Sequence, residues 1–304
     1  MYDIIVVGGG PAGLTAALYA LRGGKTVLVI EKSVFGGQIT NSPKVENIPG
    51  FASISGDEFA DLYLKQVMGQ GGEVEFGEVT GVEPVEDETG RRFEVSTDMG
   101  DTFEGKACIL ATGTVHRTLG LPGEEDLIGD GVHFCAVCDG DMYQKKTVCM
   151  IGGGNSAFVE ANLLADVCEK VILLQDMPFF TADQKLQDQL FTRSNVEKHT
   201  GTKILSYVTE DGCLTGVQYS ENGETKTAAC AGVFLAIGLI PDNKAFTNVA
   251  ETDKAGYFVS NEACTSITPG LFVAGDCRAK SLRQVTTACA DGAVAAIAAC
   301  NYLR

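Results

Sequence analysis

The stretch Asp3-Ile4-Ile5-Val6-Val7-Gly8-Gly9-Gly10-Pro11-Ala12-Gly13 decides the fold. Its β-branched run predicts a short strand, its glycines a tight turn, and the following Leu14 to Arg22 a helix that ends at Gly24. A second apolar run, Thr26 to Ile30, leads to Glu31. Each position has a physical task in dinucleotide binding. Gly8 permits the turn, Gly10 lets the backbone approach a pyrophosphate, and Gly13 lets helix and strand pack closely. The helix start then faces phosphate charge, and Glu31 is placed to accept hydrogen bonds from a ribose diol. An isolated G-x-G-x-x-G is weak, and an ordinary glycine-rich turn is its plain alternative. The preceding strand, following helix and acid at the second strand end favour the nucleotide.

The unit is written twice. Thr147 to Ile151 is followed by Gly152-Gly153-Gly154-Asn155-Ser156-Ala157, a helix through about Ala165, and a strand from Lys170 to Leu174. Residues 73 to 110 alternate apolar and polar and predict a small antiparallel insertion before Cys108 to Ala111 and the turn Thr112-Gly113. A matching signal, Leu271 to Ala274 with Gly275-Asp276, comes only near the C-terminus. The expected fold is therefore α/β. It has two Rossmann-like, three-layer ββα dinucleotide-binding-type domains, the second inserted into the first. The boundaries are 1-114 plus 241-304 and 115-240, the inserted domain resembling an NAD(P)-binding one.

Composition narrows the function. A formal net charge of -17 argues against a phosphate-neutralising surface, so no nucleic-acid partner is expected. The N-terminus enters its first strand without a basic region or cleavage site, so a cytoplasmic location is expected. The longest apolar stretch, Ala228 to Ile240, is shorter than the roughly 20 residues of a membrane helix, so no membrane partner is expected. Of eleven cysteines only Cys135 and Cys138 have the two-residue gap; most of the other nine read as small buried hydrophobes.

The segment Phe134-Cys135-Ala136-Val137-Cys138-Asp139-Gly140 precedes the second glycine motif. A zinc site would need a second close pair of ligands at suitable spacing, which the sequence does not offer, so no metal is expected. Inert burial remains open, whereas a structural disulfide is disfavoured in a reducing compartment. A redox-active pair explains more, because C-x-x-C closes a small ring and lowers one thiol's pKa. Asp139 beside it suits a proton donor and acceptor, although Asp139-Gly140 is also an ordinary turn dipeptide. His133 lies two residues before Cys135, on the same side of an extended segment, and reads either as a partner of that cysteine or as a half-buried histidine.

Taken together, these motifs resemble the low-molecular-weight thioredoxin reductases over almost the whole chain. The resemblance rests on Gly8 to Gly13, Gly36-Gly37-Gln38, Val45-Glu46-Asn47-Ile48-Pro49-Gly50, Ala111-Thr112-Gly113 and Cys135 to Gly140. It continues through Gly152 to Asn155, Ala274-Gly275-Asp276 and Arg283-Gln284. It implies a homodimer that binds FAD in the first domain and reduces thioredoxin. Cofactor contacts would come from Gly8, Gly10, Pro11, Ala12, Gly13, Glu31, Gly37, Gln38, Asn47, Val79, Ala111, Thr112, Gly113, Gly275, Asp276, Arg283, Gln284 and Val285. By the same resemblance Cys138 lies next to the flavin, Cys135 attacks the disulfide of thioredoxin, and Asp139 manages protons.

One departure matters. Where such reductases carry a His-Arg-Arg cluster and a further Arg that clamp the 2′-phosphate of NADPH, this chain has Gln175, Asp176, Met177 and Thr181. A carboxylate repels phosphate, and the forked donors of arginine are missing, so NADPH is disfavoured. NADH stays open, because Gln175 or Asp176 can accept from a free 2′-hydroxyl. A subgroup that looks similar takes electrons from ferredoxin, so ferredoxin is the expected donor. A flavin can collect single electrons for a two-electron disulfide. An acidic donor would need a local basic face, for which Arg278, Lys280 and Arg283 or Lys145 and Lys146 are the candidates. The rival readings are an NADH-dependent reductase of thioredoxin or of a peroxidase partner, and a redox-sensing flavoprotein without turnover.

Overall fold

The computed structural model describes residues 1–42, 45–88 and 90–304. Two compact units divide it, one of Met1–Val115 with Ile240–Arg304 and one of His116–Leu239. Both are Rossmann-like α/β units, each a parallel sheet with helices on one face and an antiparallel layer on the other.

In the first unit, five parallel strands run in the order Glu73–Phe76, Val27–Glu31, Tyr2–Val7, Thr102–Leu110, Leu271–Val273. Their central residues are apolar without alternation because both faces are covered. Ile4, Val6, Val27 and Val29 meet the helices Pro11–Arg22 and Val285–Tyr302. Ile5, Leu28, Cys108 and Leu110 meet Val82, Phe93, Val95 and Phe258. Full burial of a side chain such as Phe93 contributes about 1.5–3 kcal/mol. The hairpin Val79–Asp87 with Gly90–Thr97 pairs antiparallel onto the first half of Thr102–Leu110. The insertion is therefore smaller than the alternation of residues 73 to 110 suggests. Glu73–Phe76 belongs to the parallel sheet, and the chain leaves it only at Gly77, whose amide donates to the Glu31 carbonyl.

The second unit repeats the plan. Its parallel order is Val196–His199, Lys170–Leu174, Thr147–Ile151, Gly232–Leu235, Val132–His133. Helices Asn155–Val167 and Gln184–Leu190 cover one face through Phe158, Leu164 and Leu190. The antiparallel strands Thr202–Glu210, Cys213–Glu221 and Glu224–Ala229 cover the other, with Leu214, Val217 and Tyr219 against Cys149, Ile151 and Leu174. The first helix begins at Pro11, three residues before the apolar periodicity becomes visible, because proline's fixed φ suits the first helical turn. Among the described residues, no helix is long and apolar enough to cross a membrane.

Candidate active site and the two glycine loops

The first glycine loop closes on its own backbone. Gly8 has φ +103°, and a Cβ there would lie 2.3 Å from the Ala111 carbonyl oxygen; one at Gly13 would lie 1.8 Å from that of Gly8. These two glycines serve packing. Gly10 differs, since the nearest atom to a Cβ would be the Gly36 oxygen at 3.9 Å. Helix Pro11–Arg22 starts there with no side-chain cap and no acid in its first turn, so its amides point into an open cradle. Buried Glu31 accepts from the Gly9 amide at 2.7 Å and, through its other oxygen, from Ser33 at 2.9 Å.

The remaining first-unit residues gather from distant parts of the chain. Ala111 donates to the Val7 carbonyl at 2.8 Å, and Thr112 Oγ1 donates to Asn243 Oδ1 at 2.9 Å. Gly113 and Gly37 have positive φ, and Gln38 Nε2 donates to the Thr114 carbonyl at 2.8 Å. Asn47 Nδ2 reaches Gln284 Oε1 at 2.9 Å, and Gln284 caps the helix that Val285 begins. Gly275 has φ +83°, and a Cβ on it would meet that of Ala12 at 2.7 Å. Arg283 donates to the Asp276 carbonyl at 3.2 Å, its guanidinium 3.9 Å from the Tyr257 ring centre. Val79 is buried at the start of its strand. Asp276 Oδ1 is buried without a directed hydrogen bond, although Lys280 Nζ lies 3.2 Å away. An unsatisfied buried acceptor beside an open helix N-terminus fits a hydroxylated, phosphorylated cofactor such as FAD.

The cysteine pair sits in the second unit as a disulfide, Cys135–Cys138, with Cα atoms 5.4 Å apart. Cys135 caps a one-turn helix, Ala136–Asp139, and its Sγ accepts from the Cys138 amide at 3.2 Å. That geometry follows from the spacing, since three residues make one helical turn and bring both sulfurs to its start. Cys138 is exposed. The other nine cysteines are free, and seven are buried. Burial pushes the Cys108 thiol up to about 12 and those of Cys168 and Cys264 to about 11. Cys149 is also raised, first by its hydrogen bond with Cys230 and then by burial. Such thiols are poor nucleophiles.

His133 does not bond to Cys135 as the alternation suggested. Its buried ring lies with Nδ1 3.1 Å from Asp139 Oδ2 and Nε2 2.7 Å from Tyr143 Oη, stacked on Phe234. Glu160, on helix Asn155–Val167, accepts from the Ala136 amide, and burial raises its carboxyl to about 7.

The second glycine loop keeps the backbone and changes the chemistry. Gly152 has φ +138°, and a Cβ there would lie 2.3 Å from the Ala236 oxygen, the counterpart of the Gly8–Ala111 contact. The Thr181 amide donates to the Gly153 carbonyl at 2.8 Å, as Gly36 does to Gly9. Buried Gln175 stands where Glu31 stands in the first unit, its amide against Gly153. Asp176 accepts from the Met177 amide at 2.8 Å. Asp183 bonds both ways with Asn155, the first residue of the helix, at 2.7 and 3.0 Å. A carboxylate therefore stands at this helix start, where the first unit has none. The cavity over the loop, about 850 Å³, is also lined by Arg117 and Lys203.

The model of the pyridine nucleotide-disulphide oxidoreductase family matches residues 2–292. A thioredoxin reductase of Listeria monocytogenes is 39% identical over 305 residues, covering 100% of this chain and 94% of the relative. The crystal structure of Lactococcus lactis thioredoxin reductase in its FR conformation superposes with a TM-score of 0.93 at 34% identity, covering 100% and 99%. That of T. acidophilum thioredoxin reductase gives 0.90 at 31% identity, covering 99% and 98%. The chain belongs to the low-molecular-weight thioredoxin reductases.

For a flavoprotein disulfide reductase of this family, the structure adds Asp291, Arg117 and Lys203, which the sequence did not single out. Arg278 donates to both Asp291 oxygens, at 2.8 and 2.7 Å, and Lys280 lies 3.1 Å from Asp291. Burial alone would raise the Asp291 carboxyl, but the hydrogen bonds from Arg278 and Lys280 outweigh it and hold the group low. Asp291 in turn accepts from the Gly275 amide at 3.1 Å. Arg278 and Lys280 are thus internal supports of the Gly275-Asp276 turn rather than free cations for an acidic donor. The signal for Asp291 was one acid inside the alanine-rich run Ala288 to Ala299. Arg117 and Lys203 carried no local signal, because the segment after His116 and the strand Thr202–Glu210 bring them to the cavity from distant parts of the chain.

Proposed function

We propose that this chain reduces the disulfide of thioredoxin through FAD and the Cys135/Cys138 pair, with reduced ferredoxin as the electron source. One observation carries the choice of donor: the face that would grip a 2′-phosphate presents Gln175, Asp176 and, at the helix start, Asp183. Carboxylates there oppose the extra phosphate of NADPH. In this reading Gly10 to Gly13 would hold the pyrophosphate of FAD and Glu31 a ribose. Asp276, Arg283, Gln284, Gln38 and Asn47 would serve its other end, and Gly37, Val79, Ala111 to Gly113, Gly275 and Val285 would shape the walls. When bound, FAD supplies the means of turning single electrons into a two-electron disulfide reduction.

The protein's own residues then perform thiol–disulfide exchange. The Cys135 thiolate attacks one sulfur of the thioredoxin disulfide, that S–S bond breaks, and the departing thiolate takes a proton from Asp139. Cys138 attacks Cys135, restoring the Cys135–Cys138 disulfide and releasing the second thioredoxin thiolate. A homodimer is the assembly that accompanies this reading.

A second reading, NADH as donor, is favoured by the cavity over the second loop with Arg117 and Lys203 in its lining. Anaerobic mixing of the oxidised holoprotein with reduced ferredoxin, NADH or NADPH separates them by the bleaching of flavin absorbance. Bleaching by ferredoxin alone is expected. Rapid bleaching by NADH transfers the assignment to the second reading, and bleaching by NADPH overturns both. In the same preparation, Cys135→Ser and Cys138→Ser are each expected to lower thioredoxin turnover by at least about 10³-fold; undiminished turnover in both variants would remove the pair from the mechanism.

A further inference from the structure

The geometry points to His133 as the positioning residue of the redox centre, a neutral imidazole that donates from Nδ1 to Asp139 and is locked in that tautomer by Tyr143 and the Gly131 amide. This inference rests on the reading of Asp139 as the acid that protonates the departing thiolate.

The lock follows from donor bookkeeping. A backbone N–H can only donate, and the Gly131 amide is directed at His133 Nε2 at 3.4 Å. Nε2 is therefore the acceptor nitrogen, and the Tyr143 hydroxyl, 2.7 Å away, is its second donor. Burial, followed by the charges of Asp130, Asp139 and Cys230, pushes the Tyr143 hydroxyl up to about 12, so its proton stays available for that bond. Nδ1 must then carry the remaining ring proton, and it faces Asp139 Oδ2 at 3.1 Å.

Packing holds the ring in place. His133 ends the edge strand Val132–His133 opposite Phe234, on whose ring it stacks at 5.4 Å, and Tyr143 meets both rings edge-on. Tyr143 in turn needs Gly232, where a Cβ would sit 2.4 Å from its ring. From helix Asn155–Val167 the facing titratable group is Glu160, whose carboxyl is engaged with the Ala136 amide. The Asp139 side chain is one-third exposed while its imidazole partner is 1% exposed. One carboxylate oxygen is thereby anchored to a buried donor.

The chemistry balances without a further reactant. When Asp139 gives its proton to the departing thiolate, the carboxylate formed is met by an N–H already in place, so no reorganisation accompanies the transfer. His133 neither gains nor loses a proton. Its effect is to meet the Asp139 carboxylate with a hydrogen-bond donor that packing has already fixed, a bond made to the charged form.

The test uses the FAD-loaded full chain. His133→Leu, which removes the donor, is expected to move the alkaline limb of the pH–turnover profile for thioredoxin upward by about one unit. His133→Asn, whose amide overlies the Nδ1 position, is expected to return the limb toward wild type, and His133→Gln is not. Because the chain has only three histidines, ¹⁵N-histidine labelling of the unmutated holoprotein gives a readout independent of activity. It is expected to show His133 protonated at Nδ1 alone across neutral pH. An Nε2-protonated or doubly protonated ring, or identical pH limbs in all three variants, would overturn the inference. Asp139→Asn in the same assay separates the two levels: unchanged turnover would refute the acid reading itself, whereas a large loss with unmoved His133 limbs would refute only the positioning role.

Discussion

The two glycine loops share a backbone and differ in what they offer to a ligand. At Gly8 and Gly152 a Cβ would meet a carbonyl oxygen at the same distance, 2.3 Å, from Ala111 and Ala236 respectively. The next connection docks on the loop through the same amide-to-carbonyl bond, 2.8 Å in both. Beyond that the copies part. In the first, Glu31 is a carboxylate charge-bonded to the loop amide and the helix start is open; in the second, Gln175 is neutral and Asp183 stands at the helix start. The lesson is that glycines in such a loop report a packing requirement first and a ligand second.

The largest effect that can test this comparison comes from Gly8→Ala and Gly152→Ala. Each forces a residue with φ above +100° into contact with a carbonyl oxygen, a cost of about 3 kcal/mol or more. Thermal unfolding should register both losses equally, with or without nucleotide. A stable Gly152→Ala protein would mean that the second glycine is kept for a ligand alone.

Next comes Asp291→Asn, which leaves the largely buried Arg278 without its carboxylate and Lys280 with Asp276 alone, and should cost about 3 kcal/mol, read from denaturant unfolding. The pH dependence has a definite sign. Since the folded-state carboxyl lies below its unfolded value, its stabilisation is present above the ordinary carboxylate range and disappears as pH falls through the folded-state value. The variant and parent curves should therefore differ at neutral pH and approach each other in acid. The variant should also retain less flavin, because Asp291 holds the Gly275 amide.

The smallest changes sharpen the comparison most. An added methyl at Gly10 or Gly154 meets nothing closer than 3.9 or 3.7 Å, so neither substitution disturbs the fold. Gly10→Ala should weaken FAD retention by about 10–200-fold, measured as flavin content after dialysis, because the methyl occupies the cradle. Gly154→Ala should leave ferredoxin-driven turnover close to wild type. A loss comparable to that of Gly10→Ala would show that the second cradle is used.

Much of this was legible in advance because the information is local. Strand, turn and helix around Gly8 to Gly13 and Gly152 to Ala157 are fixed by β-branched runs and by positions that tolerate no Cβ. The spacing of Cys135 and Cys138 dictates a one-turn helix that brings the sulfurs together. Other features were not local. Residues 73–76 alternate like the hairpin that follows, yet pairing with Val27–Glu31 draws them into the parallel sheet. Arg278 and Lys280 look like surface cations until Asp291 is folded beside them.

The sequence by itself determined the doubled α/β plan, the disulfide pair and the missing phosphate clamp, since each depends on residue type at short separation. Only the tertiary structure decided that His133 serves Asp139 rather than Cys135, and that Asp291 neutralises the basic cluster. The reason is physical. A hydrogen-bond partner is set by which side chains share a buried space, and packing of strand 132–133 against Phe234 and Tyr143 creates that space where periodicity alone would place a neighbour of Cys135.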